Sequence, residues 1–184
     1  MENFIGVWWS GSENDVLPAG DKATGYKALA FHAVNSDFPI FDDIQKFVVD
    51  RGKAAGAGDQ IGTVLYNRGM YNAMLITEAA RTAQAIAGKS NISQADMIKG
   101  FEALEMTEEK MAALGLPGFG PSFSVSCENH GGDGMVAVAQ WDAGAGKWSI
   151  VSDFQASDMS VIQPLIDADS GAFASENNLS PNCN

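Results

Sequence analysis

Phe4-Ile5-Gly6-Val7-Trp8-Trp9 runs without a charge into Ser10-Gly11-Ser12-Glu13-Asn14-Asp15. A short apolar run cut off by turn residues is the pattern of a strand buried on both faces, and such strands belong to sheets covered by helices. The loop continues through Pro18-Ala19-Gly20. Residues 21–34 then place Tyr26, Leu29, Ala30 and Ala33 on one helical face, with Asp21 as the N-cap, and predict a helix. A second helix is expected over 41–51, with Ile44, Phe47 and Val48 as its apolar stripe. Residues 52–59 read as an exposed connection.

Ile61-Gly62-Thr63-Val64-Leu65-Tyr66 fits either a second buried strand or the first turn of the helix that follows, since periodicity does not separate the two. Residues 69–88 form the clearest helix in the chain. Tyr71, Leu75, Ala79, Thr82 and Ile86 recur every three or four positions, and Gly88 is the expected stop. Ser93-Gln94-Ala95-Asp96 opens another helix as a capping box with Asp in place of Glu. Thr107 caps a short one, whose first turn places Glu108 and Glu109 where the helix dipole favours negative charge. Beyond Gly115 the pattern turns to strands at 123–127, 135–141 and 147–151, the last two joined by an Asp142–Gly146 hairpin turn. A final helix is expected from Ser157 or Asp158 to Asp169, with Pro164 either inside it or breaking it. Helices alternating with strands, closed by a hairpin, define an α/β chain with an antiparallel appendage.

Composition bounds the function. The chain has 184 residues, 46% of them hydrophobic, which suits one domain or two small lobes with a real core. No apolar run approaches the roughly 18 residues of a membrane span. Eleven Lys and Arg against 23 Asp and Glu leave a net charge of -12, which argues against a nucleic-acid surface. Residues 1–5 show no basic start or cleavage pattern. The chain is therefore either cytosolic or a mature or truncated piece of an exported protein.

The reactive residues are few. Cys127 and His130 are three positions apart and could form a thiolate pair, but no third group to orient the base is visible, and a glycine turn around His130 points to a solvent-facing ring. A zinc site would need carboxylate or Cys help at no recognisable spacing. Glu128, Asn129 and Asp133 do not follow a calcium loop, and a polar turn is the plainer reading. The glycine pairs match neither phosphate-loop nor dinucleotide fingerprints. Cys127 and Cys183 fit an inert reduced pair in the cytosol or a bonded pair outside it. A bond between them would add about 4 kcal/mol in the chain-entropy model. The ends of the expected strands, Trp8-Trp9-Ser10 and Leu65-Tyr66-Asn67-Arg68, combine aromatics with small polar groups. They read equally as the wall of a small-ligand site or as core aromatics followed by loops.

Four stretches in order carry a resemblance. They are Trp8-Trp9-Ser10-Gly11 with Asp15-Val16 and Ala23-Thr24-Gly25-Tyr26, then Tyr66-Asn67-Arg68-Gly69 leading to Glu78-Ala79-Ala80-Arg81-Thr82-Ala83. Next comes Ser126-Cys127-Glu128-Asn129-His130-Gly131-Gly132 with Gln140-Trp141-Asp142 and Lys147-Trp148, and last Pro181-Asn182-Cys183. With them the chain resembles the C-terminal half of periplasmic substrate-binding proteins of ABC transporters, of the branched-chain amino acid and amide type.

The resemblance implies part of a type I periplasmic-binding-protein fold, a parallel sheet flanked by helices, with a C-terminal antiparallel hairpin. Residues 1–10 would be a strand of one lobe and 11–120 the α/β portion of the other. Residues 121–184 would supply hinge-crossing strands, the hairpin and the last helix. It implies a non-enzymatic, periplasmic role without cofactor or metal: capture of an amino acid, amide or similar solute and delivery to a membrane permease. Trp9, Ser10, Tyr66 and Asn67 would face the cleft, Arg68 would either attract a carboxylate or brace the corner, and Cys127 and Cys183 would be disulfide-bonded. Family members are about twice this long, so the N-terminal half of the fold is absent here and self-association over the uncovered surface is expected. The alternatives are a small thiol enzyme or hydrolase using Cys127 and His130, and an amide-sensing regulator of the same fold.

Overall fold

The computed structural model describes residues 4–56, 58–180 and 183. A four-stranded sheet runs in the order β1-β2-β5-β6, with β1 at Ile5–Gly6, β2 at Lys27–Ala30, β5 at Ala137–Asp142 and β6 at Lys147–Ile150. β1 is parallel to β2, and the other two pairings are antiparallel. A second, two-stranded sheet joins β3 (Glu105–Met106) to β4 (Phe123–Ser124).

The first strand is shorter and more open than its apolar run predicts. Only Ile5 and Gly6 pair, and Val7 leads into a 3-10 turn over Trp8–Ser10. β1 is the edge of its sheet, so Phe4, Ile5 and Val7 stay exposed. Burial on both faces would need a neighbour on the outer edge.

The helix expected over 21–34 is not there. Tyr26, Leu29, Ala30 and Ala33 do fit a helical face, but Lys27–Ala30 also alternates. Ala28 and Ala30 are buried while Lys27 and Leu29 are half-buried. Backbone partners on both sides decide the matter, because β2 is the sheet strand between β1 and β5. Short spacing signals yield to such a ladder. The capping box that forms nearby belongs to an earlier element: Ser12 and Asp15 start α1, Glu13–Val16.

The helical half follows the sequence closely. α2 (Pro39–Ile44) continues as a wider π-type turn to Val49. α3 covers Val64–Ala87, so residues 61–66 resolve as helix start rather than strand. Thr63 is its N-cap, and Gly88 ends it in the left-handed conformation, φ 63°. α4 (Gln94–Glu102) opens on the Ser93–Asp96 capping box, and α5 (Glu108–Ala113) on Thr107. α3 and α4 pack tightly because their contact residues are small. A methyl on Gly100 would overlap the Ala79 carbonyl oxygen and the Ala83 side chain.

Two hydrophobic cores result. The larger gathers Phe38, Phe41, Tyr71, Met74, Met106, Met111 and Phe119 between the helices and the small sheet. The smaller lies under the main sheet, with Val16, Ala28, Val64, Trp141 and Trp148. The first turn of α3 belongs to the second core and its middle to the first. α6, Met159–Glu176, contains Pro164 and buries no residue at all. A disulfide between Cys127 and Cys183 fastens the far end of the chain to the turn after β4.

Candidate functional site

The site grows from the meeting of the turn after β1 with the first turns of α3. Two contacts hold them together. The Val64 N–H, one of the donors left open at the start of α3, is accepted by the Glu13 carboxylate, 3.2 Å from each oxygen. Arg68, one turn further, donates from Nη2 to the Trp8 carbonyl at 2.9 Å. Its guanidinium lies over the rings of Trp9 and Phe31, 5.9 and 5.6 Å from their centres. Burial pushes the Arg68 pKa down, and the charge of Asp15 pulls the other way. Among the described residues no carboxylate forms an ion pair with it.

Trp9 is 74% exposed and forms an open aromatic surface beside this cation. Ser10 faces the opposite side, where its Oγ accepts from the Tyr26 hydroxyl at 2.9 Å and donates to the Val7 carbonyl at 3.0 Å. Gly6 leaves the room for that pair, since a Cβ there would overlap both oxygens. Tyr66 is half-buried, its ring edge-on to Phe41 at 6.0 Å. Asn67 is wholly buried. Its Nδ2 donates to the carbonyls of Ala33 and Asn35, at 3.0 and 2.9 Å, and its Oδ1 has no partner. The structure thus brings Trp9 and Arg68 to one open surface and places Ser10 and Asn67 as braces of the backbone around it. Arg68 does brace the corner, as one of its two readings has it.

Below this surface lies His32, buried against Phe31 and stacked on Phe119. Its Nδ1 donates to the Ala33 carbonyl at 2.8 Å, and burial lowers its pKa to about 4, so the ring is neutral at ordinary pH. Burial likewise raises Tyr71 to about 12. Phe31 and Tyr71 also line an apolar cavity of about 470 Å³, with Leu75, Phe101 and Phe123 as further walls and the 130–134 turn at its rim. A more polar cleft of about 550 Å³ lies beyond Glu13, between residues 34–37, Thr63 and β6.

The thiol-enzyme alternative falls here. Cys127 is bonded to Cys183, which leaves no thiolate for His130 to serve. His130 itself is largely exposed and sits 3.5 Å from Glu102. Sequence reasoning missed two partners. Glu13 reads as loop composition, and Glu102 lies far from His130 along the chain, so no local spacing connects either to its contact.

The fold is that of a type I periplasmic-binding protein in part. A crystal structure of an ABC transporter permease from the Pseudomonas fluorescens group is 36% identical and superposes with a TM-score of 0.88, over 98% of this chain and 43% of that one. A branched-chain amino acid ABC transporter from Thermus thermophilus, solved with bound valine, is 20% identical, with a TM-score of 0.60 over 84% of this chain and 39% of that one. The chain therefore spans less than half the length of either similar protein. No protein-family profile and no curated protein matches it. Among the described residues, no helix is long and apolar enough to cross a membrane.

Proposed function

We propose that this chain is part of the non-enzymatic solute-binding component of an ABC importer, which captures a small polar solute in the periplasm and delivers it to a membrane permease. The observation that carries the reading is the 36% identity and 0.88 TM-score to a transporter component across 98% of the chain. The open surface of Trp9 and Arg68 supports it, because an aromatic wall beside a few hydrogen-bonding groups suits a small polar ligand. In this reading Trp9 and Tyr66 line the ligand side, while Ser10 and Asn67 fix the loops that carry them. The solute class is an amino acid, an amide or a similar small polar solute.

The same reading treats the chain as the C-terminal half of a longer fold, with the exposed face of α6 and the edge strand β1 covered by the other half. It places residues 1–10 in one lobe, 11–120 in the other, and the hinge-crossing strands after 121. It also has the isolated chain self-associating, and light scattering that finds a monomer counts against that part. Thermal-shift screening of the full-length protein that contains this chain against amino acids, short amides, urea and aromatic acids tests the central claim. A true ligand at 100 times its Kd adds about 2.7 kcal/mol and raises Tm. If no solute of any class moves Tm, the binding role fails.

A further inference from the structure

The turn that holds the disulfide carries a second kind of chemistry. Cys127, Glu102 at the end of α4, and His130 bring one ligand atom each to within 4.8 Å of one another. Cys183 is bonded to Cys127, so its sulfur lies at the same place, with the two Cα atoms 5.5 Å apart. Two sulfurs, an imidazole and a carboxylate make a donor set that suits Zn²⁺, whose four ligand atoms stand roughly 3.3–3.8 Å apart in a tetrahedron. We propose that reduction of the Cys127–Cys183 bond turns this turn into a zinc site formed by two thiolates, the His130 imidazole and the Glu102 carboxylate.

The scaffold for such a site does not depend on the sulfur–sulfur bond. The Ser126 Oγ accepts the Asn129 N–H at 3.1 Å, and Asn129 Nδ2 donates to the Gly132 carbonyl at 3.1 Å, so the turn that presents Cys127 and His130 is held by its own hydrogen bonds. His130 Nε2 already faces Glu102 Oε1 at 3.5 Å, and the metal would sit where those two groups meet. His130 is exposed, which gives an ion a way in. The oxidised sulfurs are neutral and poor ligands, so the bonded form offers zinc only the histidine and the carboxylate. A phosphine converts one form to the other: it becomes phosphine oxide with the oxygen of one water, whose two protons go to the two thiols. Zinc then displaces both thiol protons. The tail beyond α6 would stay fastened to the turn in either state, by a covalent bond or through the metal.

The test uses the whole chain, with and without a water-soluble phosphine, loaded with Zn²⁺ and desalted. The reduced chain is expected to retain about one zinc ion, the oxidised chain essentially none. His130→Ala and Glu102→Gln are expected to weaken zinc binding about tenfold or more in competition with a chromogenic chelator. Both variants keep the disulfide, so their oxidised forms report folding by Tm. Co²⁺ in the reduced chain should give a thiolate charge-transfer band and the intense visible bands of a tetrahedral ion. A reduced chain that holds no more zinc than the oxidised one overturns the proposal. So does zinc affinity in both variants equal to that of the unaltered reduced chain, or a pale, six-coordinate cobalt spectrum.

Discussion

α3 and α6 are the two long helices of the molecule, and they live by different rules. α3 runs 24 residues and buries Val64, Asn67, Tyr71, Met74, Ala79 and Ala83. α6 runs 18 residues, carries Val161, Leu165, Ile166 and Phe173, and leaves each of them exposed. Both helices carry Val, Leu and Ile; the partners differ. α3 meets α4, the small sheet and the Trp8 turn, while α6 buries none of its residues and only borders, through Met159, Ile162 and Ile166, an open cavity beside the 128–134 turn. Helical spacing reports that a face exists. Whether the face stabilises anything depends on what covers it.

The contrast can be broken most directly by truncation. Met74→Ala removes a side chain that is only 6% exposed in the larger core, and should cost about 3 kcal/mol in urea unfolding. A cost under about 1 kcal/mol would mean that the core around α3 is no better packed than the surface of α6.

Acid attacks the same core by a different route. His32 is held neutral by burial, with its pKa lowered from 6.5 to about 4, so between those values the unfolded chain binds more protons than the folded one. Stability contributed by His32 is thus complete above about pH 6.5 and is lost as pH falls towards 4, to a limit of about 3 kcal/mol. His32→Phe, which keeps a ring among Phe31, Tyr71 and Phe119, should flatten that part of the pH profile. An unchanged slope between pH 6.5 and 4 would show that His32 is not the group responsible.

The smallest effect belongs to α6. Leu165→Ser, at a site 63% exposed, should shift stability by no more than about 0.5 kcal/mol in the monomeric chain. A loss of more than about 1 kcal/mol, measured at several protein concentrations, would place a partner on that helix.

The sequence was most readable where local chemistry is decisive. Thr107 and the Ser93–Asp96 box mark helix starts through hydrogen bonds that near neighbours supply, and Gly88 marks a helix end by its left-handed backbone. The Asp142–Gly146 hairpin was plain for the same reason. Reading failed at 21–34, where a four-residue strand is fixed by β1 and β5 rather than by its own composition. It failed again at β1, because exposure at a sheet edge depends on a neighbour that local sequence does not announce. The disulfide agrees with what the family resemblance implies, but cysteine spacing alone left it open. The site was legible as a collection of residue types at Trp8–Ser10 and Tyr66–Arg68. Which of them stand on the surface was not, since Asn67 turns inward to two carbonyls and Trp9 turns out.

The Cys127–Cys183 bond has a consequence for how the molecule comes apart. A protease that cuts anywhere along the bare helix between those sulfurs produces two polypeptides but only one particle. The cleaved protein keeps its mass until a reductant arrives, and then sheds a short C-terminal piece all at once.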